Sequence, residues 1–138
     1  MTSRELIFIQ KGIVAITILL LLLLTTGCEE ERHMISIKLE CEQTSMAKKC
    51  SNYESNDEKV IQKFERAIET ATKMSGELNY VPQYKVTIHY SDNAVEQYHL
   101  SIGSYQAKKG IVVNLAASQI GYEIGKSYTN QLRKILGQ

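Results

Sequence analysis

The chain has 138 residues, 43% of them apolar, and a formal net charge of +1. That balance excludes the strongly basic surface on which nucleic-acid binding by counterion release depends. A single proline, no tryptophan and no internal period exclude a proline-rich linker and a solenoid.

The N-terminus reads as an export signal. Arg4 and Lys11 against Glu5 give a weakly positive start, and no charge follows until after Cys28. The apolar stretch 13–24 falls within the roughly 7–15 residues of a signal core and short of the about 20 that a bilayer span needs. Thr25-Thr26-Gly27-Cys28 then resembles the lipobox of bacterial lipoproteins, with Thr25 where an apolar residue is usual. The expectation is a signal peptide over 1–27, lipidation of Cys28, a tether over 28–33 and one domain over 34–138. An uncleaved signal anchor is the alternative, and both readings put the domain outside the cytoplasm. Removing the signal leaves about 110 residues, the size of one domain.

With Cys28 assigned to lipid, Cys41 and Cys50 remain as an even pair in an oxidising compartment. They are expected to form a structural disulfide across a short polar loop, with two free thiols as the alternative. Neither zinc-ligand spacing nor a Cys-x-x-Cys redox pair is present.

Residues 35–41 alternate apolar and polar, the pattern of a half-buried strand with Ile35, Ile37 and Leu39 on one face. Residues 42–54 are polar and aperiodic, which predicts a loop. The spacing of Val60, Ile61, Phe64, Ala67, Ile68 and Ala71 predicts an amphipathic helix over about 56–75. Ser55 and Glu58 have the spacing of a capping box, and Gly76 is the candidate C-terminal cap.

Tyr84, Val86, Ile88 and Tyr90 alternate with polar residues, as do Tyr98, Leu100 and Ile102. A three-residue loop at Asp92-Asn93-Ala94 would pair Ile88 with Tyr98 and keep both apolar sets on one side. Ile111, Val113 and Leu115 predict a further strand, and Ile120, Tyr122 and Ile124 another. A short helix is expected over 128–136, capped by Ser127 and closed by Gly137. The expected fold is α+β: an antiparallel sheet of four to five strands, one long amphipathic helix packed on it, and a short C-terminal helix.

No motif for catalysis is found: no Gly-x-Ser-x-Gly elbow, no His-Glu-x-x-His and no phosphate-binding glycine loop. His89 and His99 are the tempting pair, placed diagonally on the wet face of the expected hairpin. A third metal ligand is lacking, so two exposed polar residues is the better reading; His33 adds nothing. Gly121 and Gly125 have the spacing of a membrane-dimer motif but sit in strand and turn context. Tyr84, Tyr90, Tyr98 and Tyr122 fall on core faces, which leaves Tyr53, Tyr80, Tyr105 and Tyr128 as surface contacts. No metal and no cofactor is expected.

From about residue 57 onward the chain resembles the YhfM-like small lipoproteins of Bacillus and relatives. The resemblance rests on Asp57-Glu58 at the helix start, Ala67-Ile68 within it, Tyr84-x-Val-x-Ile88, Asp92-Asn93, Tyr98-x-Leu-x-Ile102, Tyr122-x-Ile124 and Leu132-x-x-Ile135-Leu136. Leu100 stands near where such sequences often carry tryptophan. The family has no established biochemical activity, so the resemblance implies no catalytic residue. The function expected is that of a non-enzymatic lipoprotein on the outer face of the cell membrane. Its partners would be the membrane, through Cys28, and an envelope protein, peptide or other ligand, with no nucleic acid. A lipid-anchored inhibitor or immunity-type protein acting on a secreted or membrane enzyme is the alternative.

Overall fold

Alternating side chains build one seven-stranded antiparallel sheet. The computed structural model describes residues 31–42 and 50–138. Its strands are β1 (Met34–Cys41), β2 (Tyr53–Ser55), β3 (Thr72–Lys73), β4 (Tyr84–Tyr90), β5 (Val95–Ser101), β6 (Gly110–Asn114) and β7 (Gly121–Ile124). They lie side by side in the order β2-β1-β4-β5-β6-β7-β3. Helix α1 (Glu58–Glu69) links β2 on one edge to β3 on the other, and α2 (Lys126–Leu136) follows β7. Both edges end in very short strands, a form that offers another chain little continuous edge strand to pair with.

The sheet and helices enclose a core of Ile37, Leu39, Phe64, Ala67, Tyr84, Val86, Ile88, Leu100, Ile124 and Leu132. Phe64, 1% exposed, sits at the centre of the apolar stripe of α1, between Ile61 and Ala67. Burying a side chain of that size contributes roughly 2–3 kcal/mol. The α+β class and the helical stripe from Val60 to Ile68 agree with the sequence pattern, whereas Ala71, expected on the same stripe, lies beyond the end of the helix. The strand number does not agree, since seven strands replace the expected four to five, nor does the contrast of a long and a short helix, since α1 has 12 residues and α2 has 11.

The two extra strands replace parts of an expected loop and an expected helix. Helix α1 ends at Glu69 because Thr70 turns its hydroxyl onto the Arg66 carbonyl, 2.6 Å away, and the chain then extends into β3. At its start Asp57, not Ser55, is the cap. The Asp57 carboxylate accepts from the amides of Lys59 at 2.9 Å and Val60 at 3.1 Å, while Ser55 accepts from Asp57 itself. Helix α2 starts at Lys126 behind Gly125 and has no side-chain cap, so Ser127 does not serve as one. At its end Gly137, at φ 66°, takes the left-handed position expected of it.

The pairing of β4 with β5 is shifted from expectation. Tyr90 and Ala94 close a three-residue loop, Ser91-Asp92-Asn93, in which Asn93 takes the left-handed conformation at φ 64°. Ile88 therefore faces Glu96, Val86 faces Tyr98 and Tyr84 faces Leu100. The slip is by two residues, so the same faces remain buried. In β1 a bulge between Met34 and Ser36 puts Met34 in the core and leaves Ile35 47% exposed. In β6 it is Val112 that joins the helix-side core. Val113 is fully buried on the outer face, opposite Gly121, where Leu78 and Met74 cover the sheet.

The ends of the sheet differ in character. At the end carrying Gln83 and Gly103, polar side chains bind backbone. Gln83 accepts from the amides of Ile102 and Gly103, and Arg133 donates to the carbonyls of Ile102, Gly103 and Lys108. Cys41 and Cys50 are joined in a disulfide at the same end, with Cα atoms 5.6 Å apart. Among the described residues no helix is long and apolar enough to cross a membrane.

Candidate functional site

The opposite end of the sheet gathers a polar cluster onto the helix-side face. Inner positions run Tyr84, Val86, Ile88, Tyr90 along β4 and Glu96, Tyr98, Leu100 along β5. Glu96 thus occupies an inner position at the strand end. Tyr98 donates its hydroxyl to Glu96, and Tyr90 donates to the same oxygen at 3.2 Å. The Arg32 guanidinium donates to the other oxygen at 2.8 Å and lies 3.4 Å from Asp92. It also stacks over the Tyr90 ring, 3.7 Å from its centre, an arrangement in which the ring face attracts the cation.

The chemistry of the cluster follows from its donors. Burial opposes ionisation of Glu96, but the hydrogen bonds from Tyr98 and Arg32, the Arg32 charge and the Tyr90 hydroxyl outweigh it. Glu96 is therefore held below the usual carboxylate range. Burial raises Tyr98 far above an ordinary phenol, and its bond to Glu96 adds to the effect. Tyr90 is raised chiefly by burial as well. An anion whose oxygens already receive three side-chain donors is suited to holding a cation in place. It is poorly suited to moving protons.

Two hollows flank this cluster on the helix side. One, of about 370 Å³, lies between the start of β1 and the start of α1, with His33, Met34, Ile35, Ile61, Gln62 and Glu65 among its lining. The other, of about 320 Å³, lies where α1 ends over β5, β6 and β7. Its walls include Ile68, Ala71, Tyr98, Val112 and Tyr122, with Glu69 and Asn114 as polar members and Ala117 at the rim. It is the more apolar of the two, has the size of a small ligand site, and shares Tyr98 with the Glu96 cluster.

The outer face carries a second polar chain. Tyr80 and His99 Nδ1 are 2.8 Å apart, and His99 Nε2 lies 3.4 Å from the Glu42 carboxylate. This contact ties the segment after β3 across the sheet to the residue that follows Cys41. Burial raises the Tyr80 phenol, with the Glu42 charge adding to it. The expected histidine pair is corrected here. Register sets His89 opposite Val95 and His99 opposite Lys85, four residues apart along β4 rather than diagonal neighbours. That separates them by roughly 13 Å, too far to share an ion. Among the described residues no group of three or more His, Cys, Asp and Glu could hold a metal.

The remaining residues singled out in the sequence scatter. The stretch 1–27 and Cys28 lie outside the described residues. Of the four tyrosines expected at the surface, only Tyr105 is openly exposed, at 71%. Tyr53 and Tyr128 pack against the core, and Tyr80 binds His99. Gly121 is a close-packed strand position under Leu78, whereas Gly125 precedes α2. The Arg32–Glu96 contact joins partners 64 residues apart, beyond the reach of any local sequence pattern. The one local sign was a glutamate at an inner position of an alternating strand.

These features define an α+β domain in which two helices cover one face of an antiparallel sheet, with an arginine fastened to the tip of the central hairpin. The family model described as YhfM protein matches residues 35–138, and the chain belongs to that family. No curated protein and no solved structure matches it.

Proposed function

We propose that the chain is a lipid-anchored, non-enzymatic interaction module on the outer face of the cell membrane, fastened through Cys28. The observation that carries this reading is the uncharged apolar stretch 13–24 running into Gly27-Cys28, a few residues before the first strand begins at Met34. The polar clusters support the non-enzymatic part. Glu96, Tyr90, Tyr98 and Arg32 satisfy one another, and His99 is held between Tyr80 and Glu42. The apolar hollow at the end of α1 is the face through which a ligand or an envelope partner would be held.

Two measurements test the reading. Intact mass of the membrane-extracted chain should show acyl chains and loss of 1–27, both abolished by Cys28→Ala. A chain that keeps residues 1–27 and carries no acyl mass overturns the lipid anchor. A photo-crosslinking residue at Ala117, on the rim of the hollow, should capture an envelope component in growing cells. Capture of one stoichiometric secreted or membrane enzyme would instead favour the inhibitor reading.

A further inference from the structure

Arg32 shortens whatever connects this domain to a membrane. Its guanidinium is fixed to Glu96, Asp92 and the Tyr90 ring. The next residue, His33, exchanges hydrogen bonds with Ser91: the His33 amide donates to the Ser91 side-chain Oγ at 3.2 Å, and the Ser91 amide donates to the His33 carbonyl at 3.0 Å. The chain is therefore bound to the β4–β5 hairpin tip from Arg32 onward. Only Glu29, Glu30 and Glu31 separate Arg32 from Cys28. Even at full extension that stretch reaches about 14 Å. Strand β4 is seven residues long, about 23 Å, so the two ends of the sheet cannot both lie within that reach.

Among the described residues, two of the four exposed large apolar side chains lie at this same end. Val95 is 52% exposed and pairs with His89; Ile35 is 47% exposed and is pushed outward by the bulge in β1, beside the Ser36 that pairs with the other side of His89. The other two, Val81 and Tyr105, belong to the far end.

We infer that the end of the sheet bearing the β4–β5 turn rests on the lipid headgroup layer, with Ile35 and Val95 as its apolar contacts. The inference rests on the lipid-anchor reading above. It adds which end faces the membrane and which contact enforces that orientation. The arginine latch sets the distance, and the exposed side chains of Ile35 and Val95 at this end meet the interface. The far end, with the disulfide, the Arg133 contacts and Tyr105, points away into the envelope.

The chain contains no tryptophan, so a single introduced indole is a clean reporter. Full-length chains carrying Ile35→Trp, Val95→Trp, Val81→Trp or Tyr105→Trp would be expressed in a lipoprotein-processing bacterium. The lipidated products would be purified and reconstituted into phosphatidylcholine–phosphatidylglycerol vesicles containing a headgroup-labelled quencher. Quenching at positions 35 and 95 should exceed that at 81 and 105 several-fold, with blue-shifted emission at the first pair only. Equal quenching at all four positions, or stronger quenching at 81 and 105, overturns the inference. So does an indole at 95 that is shielded from both the lipid quencher and aqueous acrylamide, because that face would then be covered by a second copy. The acyl mass on Cys28 is recorded on the same samples. A lipidated chain with an unquenched Val95→Trp rejects the orientation and leaves the anchor standing, whereas a chain without acyl mass rejects the anchor and the orientation with it.

Discussion

Glu96 stands directly across the β4–β5 pair from Ile88, so a carboxylate occupies the inner face one pair beyond Val86 and Tyr98. Ile88 is fully buried, and the polar end of the sheet begins within one residue pair of it. The carboxylate is tolerated there because Tyr98, Tyr90 and Arg32 all donate to it. Its folded-state pKa lies below the usual value, so its contribution to stability is complete above about pH 4.3 and is lost as pH falls through the lower folded value. Glu96→Gln should flatten that acid limb and lower the urea midpoint at neutral pH. Urea titrations of both chains between pH 7 and pH 2 measure this; superimposable acid limbs would show that the cluster contributes nothing.

Tyr98 gives the mirror-image dependence. Its pKa is raised by burial and then by the Glu96 acceptor, so the neutral phenol is the form that the fold favours. That contribution is complete below about pH 10, the value in the unfolded chain, and falls away above it. Tyr98→Phe removes the donor to Glu96 and should cost about 1–2 kcal/mol at neutral pH. It should also make the alkaline loss of stability less steep, which thermal melts between pH 8 and pH 11 would resolve.

Faces were legible in the sequence because alternation determines them. Ile37, Leu39, Tyr84, Val86, Leu100 and Ile102 are buried as their spacing implies. Register was not legible, because a slip by two residues keeps every side chain on its face and leaves the pattern unchanged. What selects the observed register is local: Asn93 accepts the left-handed position of the three-residue loop. The bulge at Ile35 and the edge strands β2 and β3 escaped for a related reason, since three or fewer paired residues carry no period. Helix α1 is shorter than its pattern implies, because Ala71 continues the apolar spacing past Thr70, where the backbone leaves the helix. The cluster at Glu96 needed contacts over 64 residues, which no local pattern encodes.

The disulfide should matter through the unfolded chain. Cys41 and Cys50 are nine positions apart and close a small loop beside β1 and β2. The loop-entropy relation gives roughly 2–3 kcal/mol for a ring of that size. Cys41→Ser with Cys50→Ser should lower stability by about that amount while the sheet spectrum is kept. Alkylation of the native chain should leave both cysteines unmodified until a reductant is added, and modification beforehand would contradict the bridge.

Thr129 is fully buried and spans β6, β7 and α2 with one hydroxyl. It accepts from the Gly110 amide at 2.9 Å and lies within donating distance of the Ile124 and Gly125 carbonyls, at 3.1 and 3.0 Å. Thr129→Val keeps the shape and leaves the Gly110 amide without a partner, at a cost of about 1–3 kcal/mol. Thr129→Ser keeps the hydroxyl, loses one methyl and should cost about 1 kcal/mol. Urea midpoints should therefore rank wild type above Ser and Ser above Val; the reverse order would show that packing at this site outweighs hydrogen bonding.

Arg133 is 3% exposed, yet its partners are backbone carbonyls and Asn130 rather than a carboxylate. Burial lowers its pKa, and the carbonyls of Ile102, Gly103 and Lys108 compensate the charge with their dipoles. One planar fork thereby fastens both ends of the 103–109 connection to α2. Arg133→Met would keep most of the stem and orphan those carbonyls, which should destabilise the domain by about 3 kcal/mol. Arg133→Lys should recover little of that, since a single ammonium cannot reach the same acceptors in the geometry of a guanidinium. Hydrogen exchange separates this local role from a general loss of stability. In Arg133→Lys the amides of 103–109 should exchange much faster while those of β1 and β4 stay protected, and uniform acceleration across the sheet would show that Arg133 supports the core rather than the connection.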